Sequence, residues 1–439
     1  MLVSIGPGIV IAGSVIGSGE LINTPVQAAK FGFVLLWAVV LSCIIKYFLQ
    51  VEFGRHSLAH NRTPFEAFNT LPGPKWRGVS WIGPAYMAGC VLTGLSLAGM
   101  LRATAGLFHN LLPVSGSPVT SMNVWSAIVA FVLLIVLWRG SYSDLEKLIG
   151  VMVGIFSLSM LVGVLLIQGT EFRITGRQVL SGLTFSFGES ERAAAAAAVV
   201  SLLGALGATA NELFMYPYFV LEKGYGTFTG SRDSAGWVDR ARGWIRVMQI
   251  DVAVCTALAT VTTLGYFLIG AAVFHSRGIV PGGDQVIDQL SDMLTKTWGP
   301  WTKGIFLCGA AATIMSTLIV ATAGFSRMWT DMFASFRLID RDNPQSVLWS
   351  QRIMQSLYLL ACLAVSVFGA HSPEKLIIFA QYVAGLVCTP LLMVAIAMLA
   401  FRTDERVRMS RLTGVLLVLS VVVIAACVVV DLGHRSGLL

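Results

Sequence analysis

Apolar stretches recur along the whole chain, separated by short polar pieces, and within them the apolar residues are continuous rather than alternating. A run of about 20 apolar residues crosses the ~30 Å hydrocarbon layer as an α-helix. Strands of a membrane barrel would instead alternate between lipid-facing and inward-facing residues. Eleven runs are read, over approximately 3–30, 33–54, 80–110, 122–139, 146–168, 194–222, 245–274, 302–330, 350–370, 374–401 and 411–432. The third and eighth exceed one crossing and are expected to tilt or to end in surface helices. Pieces such as "NTLPGPKWRG" and "RGIVPGGDQ" predict loops. The pattern thus predicts an all-α polytopic membrane protein with 11 transmembrane helices.

Two of the runs are written to break. Span 1 carries Gly17, Ser18, Gly19 and Glu20 in its middle, and span 6 carries "GALGATANELFMYPY", residues 204–218. Lipid cannot satisfy free N–H and C=O groups, so unwound backbone survives only where it faces protein, water or a ligand. Glycine lowers the steric cost of unwinding, and Pro217 removes a helical hydrogen bond. Interrupted segments at corresponding places in two halves point to a carrier built from inverted repeats. The expected division is 1–168 for the first repeat, 194–401 for the second and 411–432 for one additional helix.

Glu20 and Glu212 each stand beside a break. Two carboxylates near one site repel unless a cation lies between them or one is protonated. Asn23, on the same helix face as Glu20, and Asn211 add neutral oxygens. Carboxylate, carbonyl and water suit a hard cation such as Mg²⁺, Ca²⁺ or Mn²⁺. Glu20, Asn211 and Glu212 are therefore the candidate metal ligands, with Glu20 as principal charge. The competing reading is that each glutamate is protonated or paired with an arginine and only locks helices.

Composition agrees with the membrane class. Of 439 residues, 56% are hydrophobic and 12% charged, and the mean hydropathy is +0.77. The net charge of +7 is a matter of topology, not of nucleic-acid binding. With the N-terminus in the cytoplasm, the inner loops 55–77, 139–147, 223–246, 327–352 and 402–411 hold 19 Lys and Arg against 9 outside, which predicts N-in, C-out in a bacterial plasma membrane. The seven cysteines sit in apolar segments without metal-ligand spacing, and the six histidines fall in loops or at span ends. No resident cofactor is expected, and no Gly-x4-Gly-Lys-Ser/Thr loop is present for ATP. The chain reads as a carrier, not an enzyme, whose partners are a small cation or organic substrate and the bilayer. Nothing in it fixes an oligomeric state.

Residues 6–68, from "GPGIVIAGSVIGSGELINTP" through "FGFVLLW" to "NRTPFEAF", resemble the opening two helices of the Nramp family, the natural resistance-associated macrophage protein divalent-metal transporters. Weaker likeness runs through "GALGAT", "RVMQIDVAVCTALATVTTLGYFLIGAAVF" and "AQYVAGLV". The resemblance implies the leucine-transporter-type 5+5 inverted repeat and, often, proton coupling. It carries Gln381 over as a lining residue, and Ala208 of "GALGAT" is a further candidate. The chain departs from the family at its metal motifs. The first-helix Asp-Pro-Gly-Asn is replaced by Gly17, Ser18, Gly19 and Glu20. The methionine, proline and histidine of the sixth helix are replaced by Asn211, Glu212 and Leu213. The acidic residues of the third helix are absent, and Arg102 stands there. A harder cation than the family's transition metals is expected.

"IGSGE" also looks like the Gly-Ser-Gly break of amino-acid and polyamine carriers of the same superfamily. On that reading the amides of residues 18–20 hold a carboxylate while Glu212, Tyr216 or Tyr218 grips an amine. A third reading is a receptor-like relative that has lost transport. Among other polar residues, Lys46 is expected to snorkel or to pair with Glu52, Arg102 with a carboxylate on another helix, and Asp251 with Arg246.

Overall fold

The computed structural model describes residues 6–17, 19–139, 142–186, 192–207, 210–281, 289, 291–292, 295, 299, 301–369 and 373–436. Among these, ten helical stretches are long and apolar enough to cross a membrane. The first, Pro7–His60, has 54 residues, about 80 Å at 1.5 Å per residue, which is two crossings rather than one. The chain turns between them at Gly32, whose φ of 60° lies in the left-handed region. A Cβ there would come within 2.8 Å of the His275 ring. Glycine is required on both counts.

Helix 1 consists of Pro7–Val15, a π-helical turn Gly19–Asn23 and Thr24–Phe31; helix 2 is Leu36–His60. Helix 3 is interrupted at Gly94, between Ile82–Thr93 and Leu95–Leu111, which the sequence pattern did not predict. Helices 4 and 5 are Pro118–Arg139 and Tyr142–Ile167. Helix 6 is Arg192–Leu202, a π turn Leu203–Gly207 and Ala210–Glu222. Helix 7 is Trp237–Val273, helix 8 Trp301–Ser335 and helix 9 Pro344–Phe368. Helix 10 runs Pro373–Val383, a π turn Ala384–Cys388 and Thr389–Phe401; helix 11 is Arg411–Ser436. Helices 1 and 6 are broken as expected. Pro217, however, lies inside the continuous second half of helix 6 and not at its break.

Helices 1, 6 and 8 form the enclosed centre, and helices 4, 5, 9 and 11 the periphery. Phe131, Leu165, Leu360 and Val415 are all more than 60% exposed on that rim. Such side chains match hydrocarbon and cost nothing there, because lipid is as apolar as they are.

The five basic loops meet on one face. Lys223 pairs with Glu146 at 2.8 Å, and Arg327 holds Glu222 at 2.7 and 2.9 Å. Arg341 joins Glu66 to Asp331. Arg232 pairs with Asp404 at 2.5 Å, and Arg402 donates to the Thr70 carbonyl at 2.8 Å. Three expected pairings are corrected. Glu52 pairs with Arg55 at 3.0 Å, one turn away on its own helix, and Lys46 is 2% exposed and does not snorkel. Arg102 donates to the Asn123 amide oxygen on helix 4 at 2.6 Å instead of to a carboxylate. Asp251 accepts the amides of Gly6 at 3.0 Å and Gly8 at 2.6 Å, so it caps the start of helix 1. Four orphan amides at a helix start favour an anion more than one exposed arginine does.

Candidate functional site

The first half of helix 1 ends at Val15, and its freed carbonyls are met by helix 8. Thr317 places its hydroxyl 3.1, 3.2 and 3.3 Å from the carbonyls of Gly13, Ser14 and Ile16. Ser316 donates to Gly13 at 2.8 Å. A Cβ on Gly17 would sit 2.4 Å from the Thr317 hydroxyl, so only glycine fits between the two helices.

The second half opens with its own cap. Leu21 N–H donates to the Gly17 carbonyl at 2.9 Å, and the Glu20 carboxylate reaches back to accept the Gly17 amide at 2.9 Å. A glutamate at the third helical position that returns to the cap amide is half of a capping box. Glu20 is fully buried in this role and is not part of the cavity wall among the described residues. The sequence names it the principal charged ligand; in the structure its carboxylate engages the cap of helix 1. The spacing from Gly17 to Glu20 lets the side chain serve its own backbone first.

The two breaks meet. A Cβ on Gly19 would lie 2.8 Å from the Ala205 carbonyl in the π turn of helix 6. Helix 6 in turn crosses helix 10 backbone to backbone. A Cβ on Gly204 would be 2.2 Å from the Gln381 carbonyl and 2.5 Å from the Gly385 amide. This crossing brings Gln381, 7% exposed, to the site.

Between helices 1, 3, 6, 8 and 10 lies a cavity of about 50 Å³, room for about four water molecules. Gly17, Gly19, Asn211, Glu212 and Gln381, all named as candidates from the sequence, line it together with Ser14, Thr93, Ser96, Met100 and Thr317. Glu212 is its carboxylate; one oxygen accepts the Ser14 hydroxyl at 3.0 Å. Asn211 is tied to helix 3. Its oxygen accepts from Tyr86 at 3.3 Å and Cys90 at 3.4 Å, and its amide donates to Thr93 at 3.2 Å.

Two other candidates lie elsewhere. Asn23 donates to the Ser201 hydroxyl at 3.0 Å and accepts from Gln27 at 3.0 Å, which fastens helix 1 to helix 6. Tyr216 is fully buried and donates to Asp251 at 3.3 Å, away from the cavity. Ser18 and Ala208 lie outside the described residues. Ser14 and Thr317 were missed. The signal for Thr317 is in the sequence: Thr313, Ser316 and Thr317 form a polar stripe at helical spacing in an apolar run.

Among the described residues no three His, Cys, Asp or Glu side chains cluster as a metal site. The cavity instead offers one carboxylate with hydroxyl and amide oxygens, the Met100 thioether and an otherwise apolar wall.

An integral membrane protein of the leucine-transporter type is thereby defined: a bundle with broken first and sixth helices enclosing a small cavity with one carboxylate. The sequence model of the natural resistance-associated macrophage protein-like (Nramp) family matches residues 8–433, and the chain belongs to that family. Similar relatives include the divalent metal cation transporter MntH of Brucella suis biovar 1 (strain 1330), 24% identical over 98% of this chain and 86% of its own length. The MntH of Verminephrobacter eiseniae (strain EF01-2) is 24% identical over 97% and 86%. Among solved structures, the Eremococcus coleocola manganese transporter in complex with an aromatic bis-isothiourea substituted compound superposes with a TM-score of 0.71 at 15% identity, covering 99% of this chain and 87% of that one. MhsT in complex with L-phenylalanine superposes with a TM-score of 0.64 at 15% identity, covering 97% and 98%. Both structural likenesses speak for the fold.

Proposed function

We propose that this protein is a secondary carrier that moves a divalent cation across the bacterial plasma membrane by alternating access at the cavity between helices 1 and 6. The observation that carries this reading is the Glu212 carboxylate at the break of helix 6, set in a cavity that Ser14, Asn211, Thr317 and Gln381 share with apolar side chains and Met100. The family relatives named divalent metal cation transporters support the substrate class. The oxygens of Glu212, Ser14, Thr317, Asn211 and Gln381 favour a hard ion, Mg²⁺ or Mn²⁺, and Met100 adds one soft sulfur to the wall. A cavity of about 50 Å³ suits a partly hydrated ion better than an amino acid or amine.

In this reading residues 1–168 and 194–401 are the two repeats that move against each other, and 411–432 flanks them. The basic loops gathered on one face lie in the cytoplasm, with the N-terminus inside and the C-terminus outside. Glu212 holds the ion, Ser14, Thr317, Asn211 and Gln381 complete its shell, and Glu20 keeps the broken end of helix 1 in shape.

The test is uptake of Mn²⁺ and Mg²⁺ into proteoliposomes. The wild-type protein transports at least one of them, and Glu212→Gln lowers uptake more than about tenfold, as loss of a charged ligand does. Absence of flux for every divalent ion, or full activity in Glu212→Gln, rejects the proposal.

A further inference from the structure

A second cavity, of about 80 Å³, lies between helices 4, 5, 8 and 9 near their ends on the basic face. It is larger than the cavity at the helix breaks and shares no residue with it. Val136, Leu137, Leu145 and Leu148 make one part of its wall apolar, and Tyr142, Asp144, Arg327 and Gln355 make the other part polar.

Two polar atoms of these lining residues have no partner among the described residues, Gln355 Oε1 and the Tyr142 hydroxyl. Gln355 is 5% exposed, and chemistry fixes which way its amide turns. Ser326 gives its one hydroxyl hydrogen to the Ala323 carbonyl at 2.8 Å, so toward Gln355 it can only accept. Gln355 therefore presents Nε2 to Ser326, at 3.4 Å, and Oε1 is left as an acceptor without a donor. Buried groups of this kind are nearly always satisfied in native proteins. Whatever satisfies this one must bring an N–H or O–H.

The charges narrow the choice. Arg327 lines the cavity, but Glu222 holds it through bonds of 2.7 and 2.9 Å, and its Nη1 donates to the Ala323 carbonyl at 2.8 Å. Lys223, 5.9 Å above the Tyr142 ring, is paired with Glu146. Both cations are thus balanced, and Asp144 adds a further carboxylate to the wall. The site favours a cation that donates several hydrogen bonds. A primary ammonium has three N–H groups for the three acceptors Gln355, Tyr142 and Asp144.

Unanswered positive charge stands one turn away. Arg352, one turn before Gln355 on helix 9, donates to the Trp138 carbonyl at 3.1 Å and lies over the rings of Trp138 and Trp349, at 5.9 and 5.6 Å. Neither Arg352 nor Arg139, at the end of helix 4, forms an ion pair among the described residues. Trp138 is 39% and Trp349 54% exposed. Tryptophan belongs to the headgroup level of a bilayer, and basic pockets between membrane helices take lipid headgroups.

We propose that this cavity seats a phospholipid whose headgroup ends in a primary ammonium. Gln355, Tyr142 and Asp144 hold the ammonium, and Arg352 and Arg139 face the phosphate. A free amine would leave the two arginines unanswered; a lipid answers both halves of the site. Leu148 both lines the cavity and is exposed, so the acyl chains leave on its side. No residue of the central cavity takes part, so this inference is independent of the cargo.

Native mass spectrometry of the delipidated, detergent-purified protein tests it, with phosphatidylethanolamine, phosphatidylcholine or phosphatidylglycerol added, and thermal unfolding is followed in parallel with these and with free ethanolamine. Phosphatidylcholine keeps the phosphate and the positive charge but has no N–H to donate. Phosphatidylethanolamine is expected to bind about tenfold more tightly, as hydrogen bonds to a charged group predict, and to raise the unfolding temperature by several degrees. Gln355→Leu and Tyr142→Phe each reduce that preference, and Arg352→Gln weakens all three lipids alike. Equal binding of phosphatidylethanolamine and phosphatidylcholine to the wild type overturns the proposal, leaving water to satisfy Gln355. Tighter binding of phosphatidylglycerol also overturns it, since the site is then one for an anion alone. Equal stabilisation by free ethanolamine at the same concentration overturns the lipid as the source of the ammonium. A preference unchanged in both Gln355→Leu and Tyr142→Phe overturns the assignment to this cavity. If a variant fails to fold, the wild-type comparison of the two lipids decides.

Discussion

The Ser14 hydroxyl in helix 1 donates to the Glu212 carboxylate in helix 6 across 3.0 Å, and so joins the two interrupted helices at the cavity itself. The two residues are 198 positions apart in the chain. The carboxylate arrives at the site already oriented, with one oxygen engaged by protein.

Ser14→Ala removes that orientation without removing the charge. A hydrogen bond to a charged group contributes about 1.5–3 kcal/mol. The expected result is an apparent ion affinity about tenfold weaker at saturable uptake, with maximal rate less affected. Concentration dependence of uptake in proteoliposomes checks this.

Gly204 and Gly385 mark the crossing of helices 6 and 10, where each would drive a Cβ to within 2.2–2.5 Å of the other helix's backbone. Backbone cannot rotate away as a side chain can. Gly204→Ala therefore costs at least the 1–3 kcal/mol of ordinary overpacking. The variant is expected to unfold in detergent several degrees below the wild type and to displace Gln381 from the cavity.

Asp251→Ala strips the cap from helix 1 and leaves the Gly6 and Gly8 amides buried without an acceptor. Loss of an N-cap costs about 0.5–2 kcal/mol, and two orphan amides put this case at the upper end. Hydrogen exchange at residues 6–10 is expected to speed up, with helices 4 and 9 unchanged. Equal exchange in both proteins would show that the cap is dispensable.

Asp404, in the loop after helix 10, is held well below the usual carboxylate range, first by its hydrogen bonds from Arg406 and then by Arg232. A depressed folded value means that the stabilisation is complete above the unfolded carboxylate range and is lost only as pH falls through the lower folded value. Docking of the 223–236 segment on 402–410 is therefore expected to hold from pH 8 down to about 5. Asp404→Asn releases it at every pH in that window. Limited proteolysis of the two loops reads the difference.

The membrane class and the two breaks were legible because glycine and glutamate in the middle of an apolar run have few physical explanations. The meeting of the breaks followed from the same reasoning. The direction of Glu20 was not legible. A glutamate three residues after a glycine can line a cavity or return to cap its own helix, and only the surrounding packing decides. Tyr216 and Asp251 were misread for a related cause: their partners lie far away in sequence, 243 residues in the case of Gly8 and Asp251. Pro217 misled because proline is tolerated within a membrane helix whose neighbours satisfy the freed carbonyl.

Thr317 has a single hydroxyl hydrogen to offer the carbonyls of Gly13, Ser14 and Ile16. The Thr313 carbonyl on its own helix competes for the same hydrogen at 3.2 Å. At any instant one acceptor is served and the others wait, so the end of the short half of helix 1 is held by a shared donor rather than by a fixed bond.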